Sequence, residues 1–421
     1  MQQAPLAGIR VIELTTAWAG PMAGRILAFL GAEVIRIEPA SRPCSWRHHG
    51  ETSAGYRYPD GEPGAQPYNR SALFNSQNVN KRSVALDLKR AGGQATLLKM
   101  LAKADALITN FTPGTLGRLK LDYPRLCEAK PDIIVVEMPA FGTSGPMAQY
   151  TALGPTMEMA TGMASMIGYR NGGPPTYTGP SYMDPIGGYN GAAAVMTALA
   201  YRRTTGRGQH VEVPQVEAAM QYIGPELLLA IATGRDPERT GNRVDWAAPH
   251  DSFPALGDDQ WVVIAALDDT QWQALCETVD DPRLRDPGFA SLAGRVAGQD
   301  RLNDILSDWT RTRPKLATAE LLQARGVAAA PVQKADDARA SPYLAARGFY
   351  TELVHPEAGR HRHPGLPFHF SRSPIGATSA APGLGEHTLA VLQEWLQLPA
   401  QEIEALQAAG TIANTPDARA A

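Results

Sequence analysis

Short apolar runs alternate with helical patterns along the first third of the chain, and few architectures accommodate that. Ile9 to Leu14 (IRVIEL) is an apolar run ending in turn residues. Pro21 to Leu30 then has helical spacing, with Gly31 placed to end it. Glu33 to Glu38 (EVIRIE) alternates at period two and stops at Pro39. Ser83 to Leu88 reads as a third strand, and Ala106 to Thr109 and Asp132 to Glu137 as two more. Between them, Gly93 to Ala102 is a helix with Leu97, Leu98 and Leu101 on one face. This alternation predicts an α/β fold with a parallel, doubly wound sheet.

Further on, Pro185 to Ala200 is a small-residue helix, Gln209 to Val213 a strand and Val216 to Ala232 a helix. The texture changes near residue 233, where TGRDPERTGNRVDWAAPH is polar and turn-rich. Trp261 to Leu267 is a strand; Asp269 to Thr278, Arg301 to Thr310 and Leu316 to Arg325 are helices. A length of 421 residues suits two domains, or one with an insertion. The smaller domain is expected over 225–335. Residues 40–70 form a long loop rich in Arg, His, Gly, Pro and Tyr, of the kind that often carries function. Glu386 to Leu396 and Gln401 to Ala408 are terminal helices.

Composition narrows the function classes. Hydrophobic residues are 44% and charged residues 19%, which is globular rather than disordered. A formal net charge of -3 invites neither nucleic acid nor a charged membrane surface. Cys44, Cys127 and Cys276 are far apart and odd in number, so neither a disulfide framework nor a zinc site is suggested. A reducing, cytoplasmic setting is expected. MQQAPLAG lacks the features of a signal peptide, and no run approaches the ~18 apolar residues of a membrane span.

Several residues are candidates for chemistry. The turn Thr15-Thr16-Ala17-Trp18-Ala19-Gly20-Pro21 places backbone N–H groups and a helix start at the carboxyl end of a strand, where anions bind. Glu38 ends the second strand, where a dinucleotide enzyme keeps its ribose-binding acid, but GxGxxG is absent. Asp184, in Met183-Asp184-Pro185-Ile186-Gly187-Gly188, is either a helix N-cap or a nucleophile. Gly187 and Gly188 favour the second reading, since they leave room for an approaching molecule. Asn80-Lys81-Arg82, Asn110-Phe111 and Arg118 could meet phosphates or a flat ring, or be solvated and core residues. His361, His363 and His369 lack a ligand pattern, so metal binding is set aside. No GxSxG is present, which leaves a serine hydrolase unsupported.

Taken together, the chain resembles the family III CoA-transferases, which include formyl-CoA:oxalate and carnitine CoA-transferases, with α-methylacyl-CoA racemase as a relative. The resemblance is carried, in order, by LAGIRVIEL, FLGAEVIRIE, FNSQNVNKRSVALDLK, ADALITNFTPGTLGRL, DIIVVEMPAFGTSGP, MDPIGGYNGAAAVMTALAYRRTTGRGQHVEV and GLGEHTLAVLQEWL. It implies a Rossmann-like large domain built from both chain ends, here 1–224 and 336–421, with the 225–335 domain inserted. It implies an interlocked homodimer, with a heteromer of paralogous subunits as the alternative. It also implies that Asp184 is the nucleophile and that Trp18, Ala19, Arg42, Asn110, Phe111 and Arg118 contact CoA. Acyl-CoA and a small carboxylic acid would be the substrates, with no permanently bound cofactor and no metal.

Three departures shape that expectation. Related racemases carry a His soon after the GTSGP-type loop; Leu153 falls there and cannot move a proton. Trp246-Ala247-Ala248-Pro249-His250-Asp251 replaces a glycine-rich loop. Trp18 stands where oxalate-using relatives have Gln. The expected reaction is therefore CoA transfer through aspartyl anhydride and aspartyl-CoA thioester intermediates on Asp184. The alternatives are an acyl-CoA racemase and a non-catalytic acyl-CoA-binding subunit. Trp46-Arg47-His48-His49 either meets a second carboxylate, which would fit a dicarboxylic donor, or meets solvent or CoA phosphate.

Overall fold

The central strands are covered on both faces, so that even their charged residues Glu13, Arg36 and Glu38 are buried. Arg10–Leu14 (β1), Glu33–Glu38 (β2), Arg82–Ala85 (β3), Ala106–Thr109 (β4), Ile134–Glu137 (β5) and His210–Glu212 (β6) form one sheet. The order is β3-β2-β1-β4-β5-β6, with every neighbouring pair parallel. That is the strand order of the doubly wound dinucleotide-binding folds. The computed structural model describes residues 3–47, 57–170, 172–179 and 181–416.

Successive residues of a strand point to opposite faces, and two cores follow from that. Val11, Ile108, Ile134 and Val136 pack on one side; Ile12, Leu107, Ile133 and Val135 pack on the other. The helices that matter for the site are Ala19–Phe29 (α1), Ala91–Leu101 (α2), Gly154–Ala160 (α3), Met183–Thr205 (α4), Gln215–Met220 (α5) and Thr388–Leu396 (α6). Ile26, Leu27 and Phe29 of α1 join Ala192 and Val195 of α4 in the first core. Leu97 and Leu101 of α2 join Val391, Leu392 and Trp395 of α6 in the second.

The close approach of α1 and α4 corrects one expectation. A side chain at Gly188 would start 2.8 Å from Met22 Cβ, and one at Gly187 would start 2.6 Å from Gln215 Oε1. The room left by these glycines is taken by protein neighbours, not held open for a ligand. The α4 helix can afford glycine there because tertiary packing, not propensity, stabilises it.

The chain divides into two compact units: Met1–Ala164 with Tyr177–Arg235 and Ala346–Ala421, and Ser165–Thr176 with Asp236–Ala345. The second contains a three-stranded antiparallel sheet, His250–Pro254 (β7), Trp261–Ala265 (β8) and Ala328–Pro331 (β9). Phe253, Val262, Ile264, Trp272, Leu306 and Leu322 form its core. Of these strands only β8 shows the apolar pattern in sequence; β7 (HDSFP) is polar and β9 (AAAP) is small. In the first unit, the helix expected over Val216 to Ala232 is broken. The α5 helix gives way to a 3-10 turn, Gln221–Ile223, and a new helix, Gly224–Thr233. Pro225 has no N–H to continue the ladder. Tyr350–His355 (β10) and Gly359–Pro364 (β11) form an antiparallel hairpin that carries His361 and His363.

Candidate functional site

Connections from β1 and β4 leave in opposite directions, β1 towards β2 and β4 towards β5, and a crevice opens at their carboxyl ends. Asn110 spans it: its Oδ1 accepts from the Thr16 N–H at 2.9 Å and its Nδ2 donates to the Thr16 carbonyl at 2.9 Å. Gly20 is needed beneath this clamp, since a Cβ there would lie 2.5 Å from Thr15 and 2.9 Å from the Asn110 side chain. Ala17 in the same turn has φ of 56°, an uncommon conformation for a residue with a Cβ.

The turn is anchored from below by charge. Glu13 pairs with Arg36 at 2.6 Å and with Lys81 at 2.8 Å; Glu38 pairs with Arg47 at 2.9 Å. All five side chains are buried. Arg36 also donates to the Thr15 carbonyl, and Lys81 to the Pro21 carbonyl at the start of α1. Burial alone would raise the Glu38 carboxyl, but Arg47 and Arg36 overcome it and hold it down at about 2. Burial lowers the Lys81 ammonium to about 8 despite Glu13.

A cavity of about 630 Å³ lies above this turn. Thr16, Trp18, Asn110 and Phe111 line it from the strand ends, and Leu153 and Asp184 from the starts of α3 and α4. Asp184 is not the N-cap of α4: Tyr182 holds that place and makes no side-chain cap. The Asp184 carboxylate instead accepts from Ser181 Oγ at 3.0 Å. Burial pushes the Asp184 carboxyl above the ordinary carboxylate range, while Ser181 and the Ala19 N–H pull it back part of the way. Ser181 sits at φ 79°, backbone strain of the kind that persists where surrounding structure enforces it. Gly154 is pressed against both residues, and a Cβ there would collide with Ser181 Oγ and Asp184 Oδ2.

Trp18, Asn110, Phe111 and Asp184 thus line one cavity. Ala19 is 1% exposed and acts through its backbone N–H. Arg42 and Arg118 are exposed and outside the cavity wall; the Arg118 guanidinium donates to Thr115 Oγ1 at 2.7 Å. Lys81 is buried on Glu13, the partly exposed Arg82 pairs with Glu33 and Glu394, and Asn80 accepts from the Ser379 N–H; none of the three lines the cavity. Arg47 is likewise occupied, by Glu38, Asn69 and the Pro382 carbonyl. It is not available to a second carboxylate; Trp46 does line the cavity, and His48 and His49 lie outside the described residues. Ser181 and Gly154 went unread. The S-x-x-D spacing of Ser181 to Asp184 was the available signal for the first. Gly154 had none, since its neighbour is nearly thirty residues away in sequence.

The family described as CoA-transferase family III matches residues 6–388. The chain belongs to this family. This family III CoA-transferase is 32% identical to an acetyl-CoA:oxalate CoA-transferase of Acetobacter aceti, over 82% of this chain and 84% of that one. It is 30% identical to a succinyl-CoA–D-citramalate CoA-transferase of Chloroflexus aurantiacus, over 96% and 97%. Among solved structures, a CAIB/BAIF family protein from Brucella suis superposes with a TM-score of 0.84 at 27% identity, covering 94% of this chain and all of that one. The substrates of such a transferase are CoA thioesters and carboxylic acids. Among the described residues, no helix of the transferase is long and apolar enough to cross a membrane, and no three His, Cys, Asp or Glu side chains are grouped to hold a metal ion.

Proposed function

We propose that this transferase moves CoA from an acyl-CoA thioester to an acceptor acid with Asp184 as nucleophile. One observation carries the reading. Among the described residues, Asp184 is the only Asp, Glu, His, Lys or Arg side chain of the cavity wall. Its carboxylate attacks the thioester carbonyl, forming an aspartyl anhydride and releasing CoA thiolate. The thiolate attacks the aspartyl carbonyl, which frees the donor acid and leaves an aspartyl-CoA thioester. The acceptor carboxylate attacks that thioester, giving a new anhydride and thiolate. The thiolate then takes the acceptor's acyl carbon and restores Asp184. Covalent storage on the protein keeps the thioester's energy from hydrolysis.

Trp18, Asn110 and Phe111 offer the wall for the thiol-bearing arm of CoA, and the exposed Arg42 and Arg118 offer charge to its phosphates. Leu153 on the same wall favours transfer over racemisation, because a hydrocarbon cannot accept the α-proton. In the proposed assembly two copies of the chain interlock. Some relatives are named as alpha subunits of succinyl-CoA–L-malate CoA-transferase, which makes a heteromer the alternative.

The test is intact-protein mass after incubation with a panel of acyl-CoA esters, with hydroxylamine or borohydride trapping. An acyl or CoA adduct on Asp184, absent from Asp184→Ala, is the expected result. Adducts in neither protein, with CoA transfer still measurable, would remove Asp184 from the mechanism.

A further inference from the structure

The α3 helix meets the approach to Asp184 at two places one turn apart. Gly154 and Glu158, at i and i+4, lie on one face of it. Gly154 is pressed against Ser181 and Asp184. Glu158 holds Thr178: its Oε1 accepts from the Thr178 N–H at 2.7 Å and from Thr178 Oγ1 at 2.8 Å. Tyr177 and Gly179, on either side of Thr178, line the cavity, as does Ser181 three residues further on.

A carboxylate is costly in this place. Glu158 is 0% exposed, and its Oε2 is buried with no hydrogen-bond partner among the described residues. Both donors to Oε1 are uncharged groups of Thr178, so among the described residues no cation offsets the burial through a hydrogen bond. A side chain that only filled space would be better apolar. What Glu158 supplies, and a hydrocarbon cannot, is one acceptor for two donors of a single residue, which fixes the backbone and the side chain of Thr178 together. Ser181, at φ 79°, is in a conformation that persists only where its surroundings enforce it.

From this we propose that Glu158 is a positioning residue for CoA transfer, holding Thr178 so that Ser181 meets the Asp184 carboxylate at 3.0 Å. Glu158 is not on the cavity wall and acts only through this segment. The role rests on Asp184 being the nucleophile.

The test is the rate of adduct formation on Asp184, read by intact-protein mass per folded molecule at saturating ester. Acetyl-CoA, succinyl-CoA and butyryl-CoA are offered, and the ester that labels the unaltered protein fastest is used. Glu158→Ala is expected to slow labelling by about 10-fold or more, with the half-saturating ester concentration unchanged. Thr178→Val, which loses one of the two bonds, is expected to slow it by about 3-fold or more and decides the matter if Glu158→Ala does not fold. Glu158→Gln keeps an acceptor oxygen and is expected to recover most of the lost rate. Glu158→Ala combined with Ser181→Ala should be no slower than the slower single variant, because both act on one contact. A folded Glu158→Ala protein that labels as fast as the unaltered one overturns this role alone. So does a Glu158→Gln protein no faster than Glu158→Ala, or a double variant whose losses add. Absence of any adduct from the unaltered protein removes the nucleophile, and this role with it.

Discussion

Asn110 holds Thr16 by both of its backbone polar groups, with one 2.9 Å hydrogen bond in each direction across the ends of β1 and β4. A strand pair is thereby tied at the point where the sheet's connections diverge, and the turn carrying Trp18 is fixed relative to Phe111. Replacing Asn110 by Ala removes both bonds. The expected cost is about 1–3 kcal/mol of stability, with KM for acyl-CoA rising about 10-fold as the turn loosens. Urea unfolding and steady-state kinetics measure the two effects. A variant with unchanged KM would mean the clamp has no bearing on the ligand.

Asp184 makes a prediction with opposite signs for activity and stability. Its folded pKa is raised, first by burial. The native state therefore binds this proton more tightly than the unfolded chain does. The resulting stability is fully present below the unfolded pKa and is lost as pH rises through the folded value. Above the folded value the ionised group is a net burden, so Asp184→Asn should melt higher there while CoA transfer falls by at least about 1,000-fold. Ser181→Ala removes a hydrogen bond that favours the ionised form, so the acid limb of its pH–rate profile should move to higher pH. A lower melting temperature for Asp184→Asn would contradict the burial argument.

Legibility followed the physics of each element. The strands β1, β4 and β5 could be read because a short, mostly apolar run is the signature of a strand covered on both faces, and β2 from its period-two alternation. The strands β7 and β9 could not, because HDSFP and AAAP carry neither alternation nor β-branched residues. Asp184 could be found from its setting before a small-residue helix, but the meaning of Gly187 and Gly188 could not. For Gly188 the answer lies on α1, more than 150 residues away in sequence, and for Gly187 on Gln215 of α5. The same applies to charge. Lys81, Arg82 and Arg47 look alike in sequence, and only the fold shows that their partners are Glu13, Glu33 and Glu38.

Gly154 offers a steric test beside the candidate nucleophile. A methyl group there strikes Ser181 Oγ and Asp184 Oδ2, so Gly154→Ala must displace the pair that the cavity is built around. Displacements of this size near a reacting group cost about 10- to 100-fold in kcat. Gly117→Ala is the matched control, because its Cβ would meet nothing within 4 Å. Equal activity in both variants would show that the position of Asp184 tolerates movement.

The buried charges under the first turn set the acid stability of the sheet. Glu38 is 3% exposed and held at about 2 by Arg47 and Arg36 against the effect of burial. A depressed carboxylate pKa contributes stability above the unfolded value, and that contribution is lost as pH falls through the folded value. Glu38→Gln leaves Arg47 without its carboxylate in a site that excludes water, and breaking a buried pair from one side typically costs about 3–5 kcal/mol. The variant should therefore be far less stable than the unaltered protein near pH 7. The gap should close as pH is lowered from about 4.5 towards about 2, because the native Glu38 loses its advantage over the same interval. Urea unfolding of both proteins near pH 7 and near pH 3 gives the comparison. A gap independent of pH would mean that the loss comes from packing around Phe74, whose ring lies 3.5 Å from the Arg47 guanidinium, rather than from charge.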